Sequence, residues 1–240
     1  MALNSNDYEK VLREAVETAL DSPDLYVRGT LYQEDMKDFV RQRLGDADGV
    51  VERFLGVIDD PRKEPDGWAK GKQIVEDLKK QPRGTWLVIK HDFQGNGNFR
   101  YSPIVSAGNG QLGAHKDTFD QLPPFEKVRD RMVGYEVYEM RHKVQEERLA
   151  ASGQQAIEDW GFEPGQQFKN VRTRSEVKPY STMTVEKLDL ERGEVTVHCR
   201  RRGSPKTWAV TCNGANLADC LMEAGYQNPQ AEETEGFSPR

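Results

Sequence analysis

An α+β fold is predicted for this chain: a helical N-terminal region with a β-hairpin, a long connecting helix, and a small C-terminal antiparallel β-barrel of SH3-like size. Three observations predict it. Apolar residues recur at helical spacing over most of the first 80 residues. At Gly84 the chain turns to β-rich runs. Beyond a long charged helical pattern, the C-terminal block alternates apolar and polar residues with period two.

The elements follow in order. Tyr8, Val11, Leu12, Ala15, Ala19 and Leu20 form one helical stripe, with Asn6 or Asp7 as its cap, and "SPD" at 22–24 ends it. A second helix is expected over about 33–44, burying Met36, Phe39, Val40 and Leu44 before Gly45. A third is expected over about 48–58, on the spacing of Val50, Val51, Phe54, Leu55 and Ile58. After the loop "DDPRKEPDG", Trp68 opens a fourth helix to about Lys80, with Ile74, Val75 and Leu78 inward. "TWLVIKHD" (85–92) and "NFRYSPIVSA" (98–107) then read as a hairpin across "FQGNGN", since glycine and asparagine tolerate the positive φ of a tight turn. Pro103 places the second strand at an edge or a bulge.

Residues 124–152 carry the longest helical pattern, on stripes of Phe125, Val128, Met132 and Tyr135 and of Val133, Val137, Met140 and Val144. Its second half is mostly charged, as in a helix that bridges through solvent or meets a partner. In the C-terminal block, Val195, Val197 and Cys199 alternate with Thr196, His198 and Arg200, and Trp208, Val210 and Cys212 with Thr207, Ala209 and Thr211. That is the pattern of half-buried antiparallel strands. A short helix at 214–224 closes the block, and 227–240 reads as a disordered tail. The domain expectation is therefore 1–122 (acidic, mainly helical, hairpin at 85–107), 123–158 (connecting helix), 159–226 (basic barrel) and the tail.

Composition narrows function. The chain is 36% hydrophobic and 31% charged, polar but still able to form a core because its apolar residues fall in periodic runs. No apolar run approaches about 18 residues, so no membrane span is expected. The opening "MALNSNDYEK" lacks the basic and apolar regions of a secretory signal. Three cysteines, an odd number in a long chain, suggest reduced thiols and a cytoplasmic location. Cys199 beside His198 lacks the paired C-x-x-C spacing of a zinc site, and the four histidines fall in four elements, so no metal or cofactor is expected.

Charge is segregated along the sequence. Residues 1–66 hold 16 acidic and 9 basic residues, while 169–206 hold 10 basic and 5 acidic, in a chain of net charge −6. Arg200, Arg201, Arg202 and Lys206, with Arg172, Arg174 and Lys178, make a basic cluster suited to phosphate, because each neutralised phosphate releases condensed counterions. In the first hairpin, Lys90, Arg100 and Tyr101 interleave rings and cations as stacking platforms for single strands do. The leading expectation is a non-enzymatic nucleic-acid-binding or adaptor protein. A solvated hairpin tip and an acidic protein partner compete with it. A protein-interaction or inhibitory module without nucleic-acid contact, such as a phage or mobile-element accessory factor, is the main alternative.

Two enzyme readings are weaker. Glu176 and Lys178, with Asp159 upstream, match part of a metal-dependent nuclease site, but Pro179 breaks the strand such a site needs. "GNGQLG" at 108–113 fits G-x-G-x-x-G, yet no helix follows directly to meet a pyrophosphate, and no βαβ alternation is predicted around it. Serines and histidines show no nucleophile-elbow context, so acyl transfer is not expected.

Overall fold

The computed structural model describes residues 5–27, 29–44, 50–92, 98–113, 118–172 and 180–228. Among these residues it is a mixed α and β structure of five α-helices and two four-stranded sheets, with one extra two-stranded ladder. The chain divides into two compact units, Met1–Val144 and Gln145–Arg240. Among the described residues no helix is long and apolar enough to cross a membrane.

Unit 1 begins with α1 (Ser5–Asp21), a tight ladder of β1 (Tyr26–Val27) and β2 (Thr30–Leu31), and α2 (Gln33–Leu44). Helix α1 already includes Asn6 and Asp7, so the expected caps lie inside its first turn. Leu12, Ala15, Val16 and Ala19 of α1 pack with Met36, Val40 and Leu44 of α2 and with Val133, Val137, Met140 and Val144 of α4 (Phe125–Trp160). Each aliphatic side chain withdrawn from water in this way contributes about 2 kcal/mol.

The third expected helix is instead a strand. Residues 53–59 form β3 (Arg53–Asp59), which pairs in parallel with β4 (Thr85–Asp92). Phe54, Leu55 and Val57 are all exposed, so the apolar spacing marks no buried helical stripe. Gly56, at φ 118°, sits where the register shifts between Phe54 and Val57, a conformation and a bulge that a helix cannot hold. Helix α3 (Gly67–Lys79) joins the two parallel strands, making a β–α–β crossover that the sequence reading did not anticipate.

The sheet order is β3-β4-β5-β6, with β5 (Phe99–Ser106) and β6 (Leu112–Gly113) antiparallel to their neighbours. Pro103 therefore does not lie on an edge strand. Its missing N–H faces the side of β5 between the Tyr101–Phe119 bridge and the pairing with β6, where no described residue forms a ladder bond to it. "GNGQLG" supplies the β5–β6 turn and then β6 itself, with Gly108 and Gly110 at φ +79° and +80°. One sheet face packs Trp86, Val88 and Val105 on Val128 and Met132 of α4. The other packs Leu87 and Ile104 with Leu78 of α3.

Unit 2 contains the last part of α4, then β7 (Gln167–Phe168), β8 (Thr182–Asp189), β9 (Glu194–Arg200), β10 (Thr207–Asn213) and α5 (Gly214–Glu223). All ladders are antiparallel, in the order β10-β9-β8-β7. Among the described residues this sheet is open at β10 and β7, and no pairing closes it into a barrel. Met183, Val185, Val195, Val197 and Cys199 bury one face against Leu217, Ala218 and Leu221 of α5 and Ile157 and Trp160 of α4. Asn213 caps α5 by accepting from Ala215 N at 2.9 Å, and its side-chain amide donates to Leu149 O of α4 at 2.7 Å. Tyr226 clasps β7: its hydroxyl accepts from Lys169 N at 2.6 Å and donates to Lys169 O at 3.1 Å. The three cysteines are free thiols.

Candidate functional site

The arginine cluster sits where β9 ends and β10 begins. Arg200 is the last residue of β9 and stands opposite both Thr182 of β8 and Thr207 of β10. The chain reverses over 201–206, helped by Gly203 at φ +78° and by two short bonds. Ser204 N donates to Arg201 O at 3.1 Å, and Lys206 N donates to Ser204 Oγ at 3.1 Å. Arg200 Nε donates to Ser204 O at 3.3 Å, which ties one guanidinium to the turn. Arg200, Arg201, Arg202 and Lys206 are all exposed.

Arg201 is held differently. Its guanidinium lies 5.2 Å from the ring centroid of Trp208 and 5.9 Å from that of Tyr180. Those two rings meet edge-on at 5.7 Å. Tyr180 is fully buried and Trp208 half-buried, so the cation rests on a rigid aromatic base. Among the described residues no carboxylate lies within ion-pair distance of Arg200, Arg202 or Lys206.

Strand alternation sends Arg200 to the same side as Thr182, Thr184, Thr196, His198, Thr207 and Thr211. Thr196 and Thr211 share a 2.9 Å hydroxyl contact, and His198 Nε2 lies 2.9 Å from Glu186 Oε2. Cys199 points the opposite way, into the core, so it cannot share a metal with His198. Burial, with Cys220 and Glu194 nearby, pushes the Cys212 thiol up to about 11, so it stays protonated at neutral pH.

The other predicted residues are placed less favourably. Arg172 follows the Val171–Tyr180 bridge of unit 2. Arg174, Glu176 and Lys178 lie outside the described residues, so most of the nuclease triplet does too. Its remaining member, Asp159, accepts from Gln155 Nε2 at 2.7 Å within α4. Lys90, Arg100 and Tyr101 belong to unit 1. Arg100 is ion-paired with Asp120, Lys90 Nζ lies 3.7 Å from the centroid of the Phe99 ring, and Tyr101 packs on the core around Trp86. Tyr101 also exchanges both backbone bonds with Phe119, at 2.8 and 2.9 Å. This hairpin presents neither a free arginine nor a free tyrosine face.

Sequence reading missed a second polar group, in unit 1. Asp60 follows β3, His91 lies near the end of β4, and Ser102 lies in β5. His91 Nδ1 is 2.8 Å from Asp60 Oδ2, and His91 Nε2 is 2.9 Å from Ser102 Oγ. Arg62 forks onto Asp60, with Nε 2.9 Å from Oδ1 and Nη2 2.6 Å from Oδ2. Asp60, His91 and Ser102 are buried. The sequence signal was weak: Asp60 and His91 follow apolar runs but Ser102 sits within one, and reading 48–58 as a helix hid the first of them.

The guanidinium of Arg62, aided by the His91 contact, holds the Asp60 carboxyl well below the usual carboxylate range despite its burial. A depressed carboxylate stabilises the fold above its unfolded pKa, near 3.9, and that stabilisation is lost as pH falls through the folded value. Wild-type unit 1 is therefore expected to lose about 2 kcal/mol from this group on acidification below pH ~4. Asp60→Asn should flatten that part of the acid unfolding curve, followed by circular dichroism.

Comparison of the chain with protein-family models, with curated proteins and with solved structures returns no match.

Proposed function

We propose that the chain is a nucleic-acid-binding protein whose β9–β10 hairpin contacts the phosphate backbone. One observation carries the reading: four exposed cations lie within residues 200–206, and three of them face no carboxylate among the described residues. Arg200 is positioned by the turn and Arg201 by its aromatic base, so part of the ordering cost of a phosphate contact is met before binding. The neighbouring threonine hydroxyls add neutral donors to phosphate oxygens on the same face. The same reading takes the C-terminal sheet as a small SH3-like barrel. The β8 bulge between Val185 and Lys187, which bends a sheet toward closure, supports that. It also takes the protein as non-enzymatic at this face and cytoplasmic.

A protein partner is the second reading, favoured by β3. This edge strand exposes Phe54, Leu55 and Val57, and Val51 just before it is 70% exposed. An adaptor would use both surfaces.

The test is the salt dependence of binding to a labelled oligonucleotide, with duplex DNA and single-stranded RNA as separate probes. For the duplex, Arg200→Ala/Arg201→Ala/Arg202→Ala should reduce the slope of log K against log salt by up to about 2.7, at about 0.9 per phosphate. Affinity at low salt should fall by one to three orders of magnitude, an estimate of roughly 1 kcal/mol per lost contact. A slope and affinity unchanged in the triple variant would remove the hairpin from the interface and favour the protein-partner reading.

A further inference from the structure

The Asp60–His91–Ser102 line lies where chemistry is expected in a crossover fold. Strands β3 and β4 run in parallel, so Asp60 and His91 share the carboxyl end of that pair. Strand β5 runs back alongside, with Ser102 opposite Ile89. Period-two alternation then puts Ile89, His91, Ser102 and Ile104 on the sheet face covered by α3. All three polar side chains line a cleft of about 830 Å³ with mostly apolar walls. Trp68, at the start of α3, stands 78% exposed at its rim.

The polarity of the hydrogen bonds is set by the carboxylate. His91 Nδ1 lies 2.8 Å from the Asp60 carboxylate and 3.2 Å from Arg62 Nη2, and the shorter contact, to the acceptor, puts the proton on Nδ1. Nε2 is then left with its lone pair toward Ser102, and the hydroxyl donates to it. This is the arrangement in which an imidazole can take a proton from serine.

We propose that Ser102 is the nucleophile of an acyl-transfer site, with His91 as its base and Asp60 as the residue that positions the imidazole, acting on small esters with an apolar or aromatic group. This activity is independent of nucleic-acid binding by unit 2. Ser102 Oγ attacks the ester carbonyl carbon as its proton passes to His91 Nε2. The tetrahedral intermediate collapses, the bond to the leaving oxygen breaks, and Nε2 returns the proton to the departing alcohol. Water then attacks the acyl-serine, gives its proton to Nε2, and releases the acid as Oγ recovers that proton. The net change is ester plus water to acid plus alcohol.

The chemistry also sets the substrate class. The residue after Ser102 is Pro103, which has no N–H, and the Ser102 backbone faces Ile89 in the ladder. The backbone donor that usually follows the nucleophile is therefore missing, and side chains on the cleft wall, such as Thr118 and Lys72, serve in its place. Esters with good leaving groups fit such a site; amides do not. An exposed tryptophan at the rim suits an aryl leaving group.

The experiment treats the full chain with a fluorophosphonate probe, maps the adduct by peptide mass spectrometry, and follows hydrolysis of p-nitrophenyl acetate. Expected are one dominant adduct on Ser102 in the unmodified chain and ester turnover above buffer. Turnover should fall at least 100-fold in Ser102→Ala and in His91→Gln, with circular dichroism to confirm folding. Mapping on the wild-type chain needs no variant, so it remains decisive if a variant fails to fold. No adduct on Ser102, or turnover unchanged in a folded Ser102→Ala protein, would overturn the proposal.

Discussion

Gly153→Ala is expected to destabilise unit 2 by about 3 kcal/mol, a large fraction of the stability of a small domain. Three glycines meet at one point in this unit: Gly153 in α4, Gly193 in the β8–β9 turn and Gly214 at the start of α5. A methyl group on Gly153 would fall far inside contact distance of Gly193 O and the Asn213 side-chain amide. These neighbours are themselves committed. Gly193 O accepts from Gly214 N at 2.8 Å, and Asn213 both caps α5 and bonds Leu149 O. None can move without breaking a hydrogen bond or shifting an element. Gly203, by contrast, has φ +78° and nothing within 4 Å of its missing Cβ. Gly203→Ala should cost only about 1 kcal/mol, from backbone strain alone. Urea unfolding followed by circular dichroism separates the two, and equal midpoints would show that the glycine contact is not as tight as described.

Glu136→Ala is expected to cost unit 1 about 3 kcal/mol. Glu136 and Arg83 form a two-pronged pair with side chains only 12% and 14% exposed, one prong running from Arg83 Nη2 to Oε2 at 2.7 Å. The Tyr8 hydroxyl donates to the same carboxylate at 2.8 Å, and the Arg83 guanidinium lies 3.9 Å from the centroid of the Tyr8 ring. The pair thus ties α1, the turn before β4 and α4 into one network. Removing the carboxylate takes the anionic partner from a largely buried cation, which costs far more than the pair itself contributes. Arg83→Met with Glu136→Leu should recover most of the loss, because two apolar side chains of similar size need no desolvated charge. A double variant as unstable as Glu136→Ala would mean that packing, not charge, dominates there.

What the sequence made legible follows from where burial is one-sided. The strands β8 to β10 bury one face on α5 and expose the other, so Val195, Val197 and Cys199 alternate cleanly and the pattern is local. Helices α1, α2 and α4 carry their stripes for the same reason. Strand β3 was opaque because it is an edge strand that leaves Phe54, Leu55 and Val57 in solvent. Its apolar residues record no single buried face and fit a helical spacing by accident. That one misreading also concealed the β–α–β crossover. With the crossover hidden, Asp60 could not be set beside His91, 31 residues away, or Ser102, 11 residues further on. The arginine triplet was legible as composition. Its aromatic base was not, since Tyr180 reaches Arg201 only through strand pairing.

The placement of the thiols has a practical corollary. Cys199 and Cys220 are sealed in the unit 2 core, and the remaining thiol, Cys212, stays protonated well above neutral pH. A cysteine engineered onto an exposed position will therefore be the reactive one, and maleimide dyes can be attached there without first stripping the native sulfhydryls.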